Sequence, residues 1–150
     1  MYVKPGELVV ADVPTLLSTV LGSCVAVIMH VPEAHLGAMC HAMLPSGNDD
    51  DFRYVDSSVA YMAERLRARC GPSCRIDVKL FGGAEILNPN GRQGTSVSIG
   101  RQNVDAAVQA LAAAGLQVAA AHTGGSHGRK LFFYTDSGEV FMRQVKKSIP

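Results

Sequence analysis

The sequence predicts an α/β fold, a sandwich of mixed β-sheet layers with two main helices packed against it. Three observations carry this expectation. Short apolar or alternating runs bounded by Gly, Pro, Asn and Asp recur along the chain, two segments switch to a helical period, and those helices fall between strands, not in a block. A chain of 150 residues with 47% hydrophobic content is enough for one ordinary core, so residues 1–150 read as a single domain.

Taken in order, residues 7–12 read as a first strand, closed by the turn pair Val13-Pro14. Residues 16–20 form a short extended piece that runs to Gly22. Residues 24–31 are β-branched and too apolar to have a wet face, which makes this the central strand. Residues 36–44 continue as a strand, and residues 45–51 make a polar loop whose acidic run is solvated surface. From Asp56 the period lengthens: Val59, Met62, Ala63 and Leu66 share one stripe, with Asp56 or Ser57 as the cap. Cys70-Gly71-Pro72-Ser73-Cys74 stops this helix.

Residues 75–81 alternate as a strand that runs into Gly82-Gly83, and residues 88–94 are dense in turn formers and read as an exposed loop. Asn103 is placed to cap a second helix, with Val104, Ala107, Val108, Leu111 and Ala112 on its apolar stripe and Gly115 as the left-handed residue past its end. Strands over 116–121, 130–134 and 139–145 close the chain. The last two join through the hairpin turn Thr135-Asp136-Ser137-Gly138.

With 14 basic and 13 acidic residues the formal charge is +1, so no global field points to nucleic acid or to an anionic membrane. The N-terminal residues lack the basic segment and apolar run of a secretory signal, and no stretch is long and apolar enough to span a bilayer. The expected location is the cytoplasm. In that reducing compartment Cys24, Cys40, Cys70 and Cys74 are expected as free thiols, with Cys70 and Cys74 packing at the helix end.

The chemistry concentrates between residues 18 and 41. Cys24 follows Gly22-Ser23, and His41 lies on the next strand, so a hairpin can bring thiol and imidazole together. A thiol with pKa about 8.5 is only slightly ionised at neutral pH, so a base is needed, and His41 is the candidate. Alternation sends Cys40 and His41 to opposite faces of their strand, so they cannot both serve one site. Gly22 permits tight backbone geometry, and the amides near Ser23 and Cys24 can face an oxyanion. Ser18 or Thr19 can orient the imidazole through a hydroxyl. Each residue also has a plain reading: buried free cysteine and hydrogen-bonded histidine are common in cores.

Other constellations point elsewhere. Cys70 and Cys74 have three residues between them, not the two usual for a zinc knuckle or redox pair, and His30, His35, His122 and His127 show no ligand spacing. Gly124-Gly125-Ser126-His127-Gly128-Arg129 is glycine-rich and basic but precedes a strand, whereas a phosphate cradle needs a helix N-terminus. It reads as a loop bordering the site or a partner.

Five ordered blocks, Leu21-Gly22-Ser23-Cys24-Val25-Ala26-Val27, Gly37 to Pro45, Phe81-Gly82-Gly83-Ala84, Ile99-Gly100-Arg101-Gln102-Asn103 and Thr123-Gly124-Gly125, resemble the CheD family of chemoreceptor glutamine deamidases over nearly the whole chain. The resemblance implies a fold like that of the cytotoxic necrotizing factor toxins. It also implies hydrolysis of selected glutamine side chains on methyl-accepting chemotaxis receptors, through a thioester and with no metal or organic cofactor. On that pattern Cys24 is the nucleophile, His41 the general base and Ser18 the third member, where the family has threonine. Thr19 takes that role if the strand register differs. Gln102 departs from the small residue more usual there. Family members also bind the CheC phosphatase in some bacteria. The rival readings are a non-catalytic adaptor that binds CheC or receptors, and a thiol hydrolase acting on receptor methylesters.

Overall fold

Strand β3 (Val25–Val31) is buried along its whole length, His30 included, as its apolar run over residues 25–29 suggests, and the rest of the fold is built on its two faces. The computed structural model describes residues 1–47, 51–85 and 98–145. Around β3 lie β1 (Leu8–Ala11), β4 (Leu36–Cys40), β5 (Asp77–Gly82) and β6 (Val118–Thr123), in a five-stranded sheet of order β1-β4-β3-β5-β6. Only the β5–β6 pairing is parallel. A second, three-stranded antiparallel sheet has the order β2-β7-β8, from β2 (Leu16–Leu21), β7 (Gly128–Tyr134) and β8 (Val140–Val145).

The period-two rule sorts β3 into two cores. Val25, Val27 and Met29 join Cys40, Ala42, Val59, Met62, Leu66 and Leu111 in the core under the helices α1 (Val55–Cys70) and α2 (Ile99–Ala113). Ala26 and Ile28 face the other way and pack with Leu17, Leu21, Leu131 and Phe133 of the small sheet. The result is three layers, helices on sheet on sheet, the mixed-sheet α/β sandwich that the strand and helix periods indicate.

Several local expectations are corrected. Neither Asp56 nor Ser57 caps α1: the cap position is Tyr54, without a side-chain bond. The backbone does the work instead, because Val55 N–H donates to the Leu44 carbonyl at 2.8 Å and Asp56 N–H to the Pro45 carbonyl at 3.4 Å. Asp56 sits in the first turn and accepts from Ser57 N–H at 2.8 Å. Helix α2 begins earlier than Asn103, with Ser98 at the cap accepting from Arg101 N–H at 3.2 Å. Cys70 and Cys74 are not free but form a disulfide: the turn at Gly71 (φ 102°) brings their Cα atoms to 5.9 Å. The loop read over residues 88–94 lies outside the described residues.

Candidate active site

Which residues of β2 meet the site follows from alternation. Leu17, Thr19 and Leu21 point inward and are fully buried, while Leu16, Ser18 and Val20 lie on the other face. The hydroxyl that reaches the imidazole is therefore that of Thr19, at 2.7 Å from His41 Nδ1, and not that of Ser18. Ser18 instead serves through its backbone, accepting from Val3 N–H at 2.8 Å and donating to the Met1 carbonyl at 2.9 Å. These bonds lay residues 1–3 along β2.

That N-terminal segment fixes the proton on the ring. Thr19 Oγ1 is 2.7 Å from the Val3 carbonyl oxygen, which can only accept, so the single hydroxyl proton goes to Val3. The Thr19 oxygen then accepts from His41 Nδ1–H. With Nδ1 protonated, a neutral His41 carries its lone pair on Nε2, the form a general base needs. The backbone of His41 is held as firmly: its N–H donates to the Glu7 carbonyl at 3.0 Å and its carbonyl accepts from Gly6 N–H at 2.8 Å.

Cys24 joins this face from the start of β3. Val25 and Ala42 exchange both backbone bonds, at 3.0 and 2.9 Å, which extends the β3–β4 register past Cys40. Ala26 then stands opposite His41, and Cys24, two residues earlier, is the diagonal neighbour of His41 on the same face. Such diagonal pairs sit about 7–8 Å apart in the backbone, within reach of a long or aromatic side chain. Cys24 is half-buried and packs against the core between the sheets, whereas Cys40 is fully buried in the core under the helices. Thiol, imidazole and hydroxyl thus share one interlayer, as alternation along residues 40 and 41 requires.

Burial pushes the Cys24 thiol above its ordinary 9.0, with its own backbone N–H acting in the other direction. Burial also pulls His41 below 6.5, partly offset by the Val3 carbonyl. Both shifts favour the uncharged forms, thiol and imidazole, at neutral pH. Cys40, by contrast, is pushed up to about 11 by burial, which makes it inert. Among the described residues no group of three or more His, Cys, Asp or Glu is placed to hold a metal ion.

The CheD chemotactic sensory transduction family model matches residues 43–144. A Geobacter sulfurreducens protein named probable chemoreceptor glutamine deamidase CheD 2 is 48% identical over 149 residues, covering 99% of this chain and 91% of that one. The chain belongs to the CheD family. A Thermotoga maritima protein named chemoreceptor glutamine deamidase CheD is 34% identical over 144 residues, 93% of this chain and 88% of its own. The crystal structure of YlmD from Geobacillus stearothermophilus shares the fold at a TM-score of 0.50 and 19% identity over 79% of this chain, which spans 51% of that protein.

Two CheD-like sequence blocks acquire a structural reason here. Gly82 holds φ 109°, and a Cβ on it would collide with the Cys24 carbonyl oxygen. A Cβ on Gly100 would strike the Gly83 and Ala84 carbonyls. These close approaches let Gly83 N–H reach the Cys24 carbonyl at 2.9 Å and Ala84 N–H reach the Gly22 carbonyl at 3.0 Å. The tight glycine is thus Gly82, not Gly22, whose Cβ would meet nothing within 4 Å. The turn at Gly124-Gly125 docks on the same segment, Gly124 N–H on Gly82 and Glu85 N–H on Gly125. Arg129 belongs to β7, not to that turn; it is 3% exposed and donates to His122 Nδ1 at 2.9 Å and to the Gly124 carbonyl at 2.7 Å.

Spacing did not reveal the Val3 carbonyl, because a backbone acceptor has no sequence signature. It also misassigned Asn103, whose buried amide donates to the Ser23 and Met43 carbonyls, both at 3.0 Å. A polar residue amid the apolar stripe of α2 was the available signal.

No helix among the described residues is long and apolar enough to cross a membrane. An open groove of about 700 Å³ is lined by Pro45, Ser46, Asp56, Gln102, Asp105 and Ala106, and its lining does not include Cys24 or His41.

Proposed function

We propose that this chain deamidates selected glutamines of chemoreceptors in the cytoplasm, with residues 1–150 acting as one catalytic unit. The observation that carries the reading is the Val3–Thr19–His41 relay, which leaves Nε2 of a neutral imidazole as the acceptor on the face shared with Cys24. CheD family membership gives the substrate class.

His41 Nε2 takes the Cys24 proton as Sγ attacks the glutamine Cδ, giving a tetrahedral intermediate whose oxyanion faces backbone N–H groups. The imidazolium returns that proton to the departing nitrogen, and ammonia leaves. A thioester joins Cys24 to the receptor side chain. Water then gives a proton to Nε2 as it attacks, the thiol is restored by the same proton, and glutamate remains. Thr19 keeps Nδ1 protonated throughout and stabilises the imidazolium. None of these steps calls on a metal or organic cofactor.

The test is incubation with cytoplasmic receptor fragments followed by mass mapping. Amide-to-acid conversion at discrete glutamines, lost in Cys24→Ala, supports the reading. Ester hydrolysis without amide conversion indicates a methylesterase, and an effect on receptors that survives Cys24→Ala indicates an adaptor. Binding to the CheC phosphatase, which the family resemblance permits, belongs to the same proposal and is checked by co-purification of the two proteins.

A further inference from the structure

Asn103 is fully buried one turn into α2, on the helix face turned toward the sheet. Its Nδ2 lies 3.0 Å from two backbone carbonyls on two other parts of the chain, Ser23 and Met43. Carbonyls only accept, so the atom between them is the nitrogen, and both of its protons are committed. Its Oδ1 is buried with no hydrogen-bond partner among the described residues.

The Ser23 carbonyl and the Cys24 N–H share one peptide plane and point in opposite directions. A bond that draws Ser23 O toward α2 therefore aims the Cys24 N–H away from the helices, toward the interlayer that holds the thiol and the imidazole. The neighbouring carbonyls are tied as well, Gly22 by Ala84 N–H and Cys24 by Gly83 N–H, so three successive peptide groups have fixed orientations. Cys24 N–H itself donates to no backbone carbonyl among the described residues. The second Asn103 bond, to Met43, holds the segment that follows His41 in the same frame.

We propose that Asn103 is a positioning residue that aims the Cys24 backbone N–H at the oxyanion of the tetrahedral intermediate and locks the nucleophile turn to the His41 strand. The proposal rests on the thiol deamidase reading above. It separates two properties of the site: ionisation of the sulfur, which depends on His41, and stabilisation of the oxyanion, which depends on the amide that Asn103 orients.

Iodoacetamide reads the first property alone, because displacement at a saturated carbon forms no oxyanion. Asn103→Asp, which keeps the shape but replaces both donors with a carboxylate, is compared with wild type in receptor-fragment deamidation and in Cys24 alkylation. The expected result is a kcat lower by about 10²-fold, with KM and the alkylation rate within about threefold of wild type. Unchanged kcat overturns the proposal, and so does a loss of kcat matched by an equal loss of alkylation. Asn103→Ser, which keeps one short donor, carries the same comparison where the Asp variant does not fold. A wild-type protein that alkylates normally but deamidates no receptor fragment overturns the functional reading itself.

Discussion

At Thr19 and Ser18, one position along a strand separates a residue of the site from a residue of the surface sheet. Both carry the hydroxyl that the chemistry asks for, but only Thr19 points into the interlayer, where it is fully buried. The sequence Leu16-Leu17-Ser18-Thr19-Val20-Leu21 has apolar residues on both faces, so its alternation does not choose between them. The choice is made by pairing with β7, which sets Thr19 opposite Leu131. Accordingly, Thr19→Val is expected to lower kcat by on the order of 10²-fold through loss of the imidazole's orientation, and Ser18→Ala to leave it within about twofold. Steady-state deamidation of a receptor fragment checks both. The pH profile follows from the same residues. In the proposed mechanism His41 must be neutral to accept the proton, and its pKa lies below 6.5, so activity rises with pH on a limb below that value. The pair must still hold one proton for the leaving nitrogen, and the Cys24 thiol lies above 9.0, so activity falls only beyond that value. A profile of kcat/KM against pH with its acid limb above 6.5 would contradict this.

At the scale of elements, the Cys24 turn is held by a frame rather than by its own conformation. The β5 end at Gly82-Gly83, the start of α2 at Gly100 and the turn at Gly124-Gly125 meet around it. The helices themselves were readable, since Val59, Met62, Ala63 and Leu66 are all buried as their spacing requires. Their starts were not. Asn103 is a good cap by residue type, yet α2 extends back to Ile99 because Gly100 can press against the Gly83 carbonyl. For Gly82→Ala, a left-handed backbone and a collision with the Cys24 carbonyl combine, and the expected cost is about 1–3 kcal/mol. Urea denaturation measures the loss, and deamidation should fall more steeply than stability because the turn shifts with its partner.

Across the whole molecule, β3 is the element on which both cores depend. Its burial was legible from an apolar run without a wet face, but the division of strands between two sheets was not. β2 pairs with β7 across more than a hundred residues of chain, and nothing local announces such a partner. Removing either layer exposes one face of β3, so residues 1–150 are expected to unfold in one cooperative transition, with fluorescence and circular dichroism coincident. Stability carries the imprint of the site as well. The folded protein holds His41 below its ordinary 6.5, so between the two values the unfolded chain binds more protons. The contribution of neutral His41 is therefore complete above 6.5 and is lost as pH falls below it, a slope that His41→Gln should remove.

The most direct measurement is the nitrogen NMR spectrum of His41 at neutral pH. The account predicts a neutral ring with the proton on Nδ1 and a bare Nε2, titrating below 6.5. A proton resident on Nε2, or an imidazolium at pH 7, would contradict it.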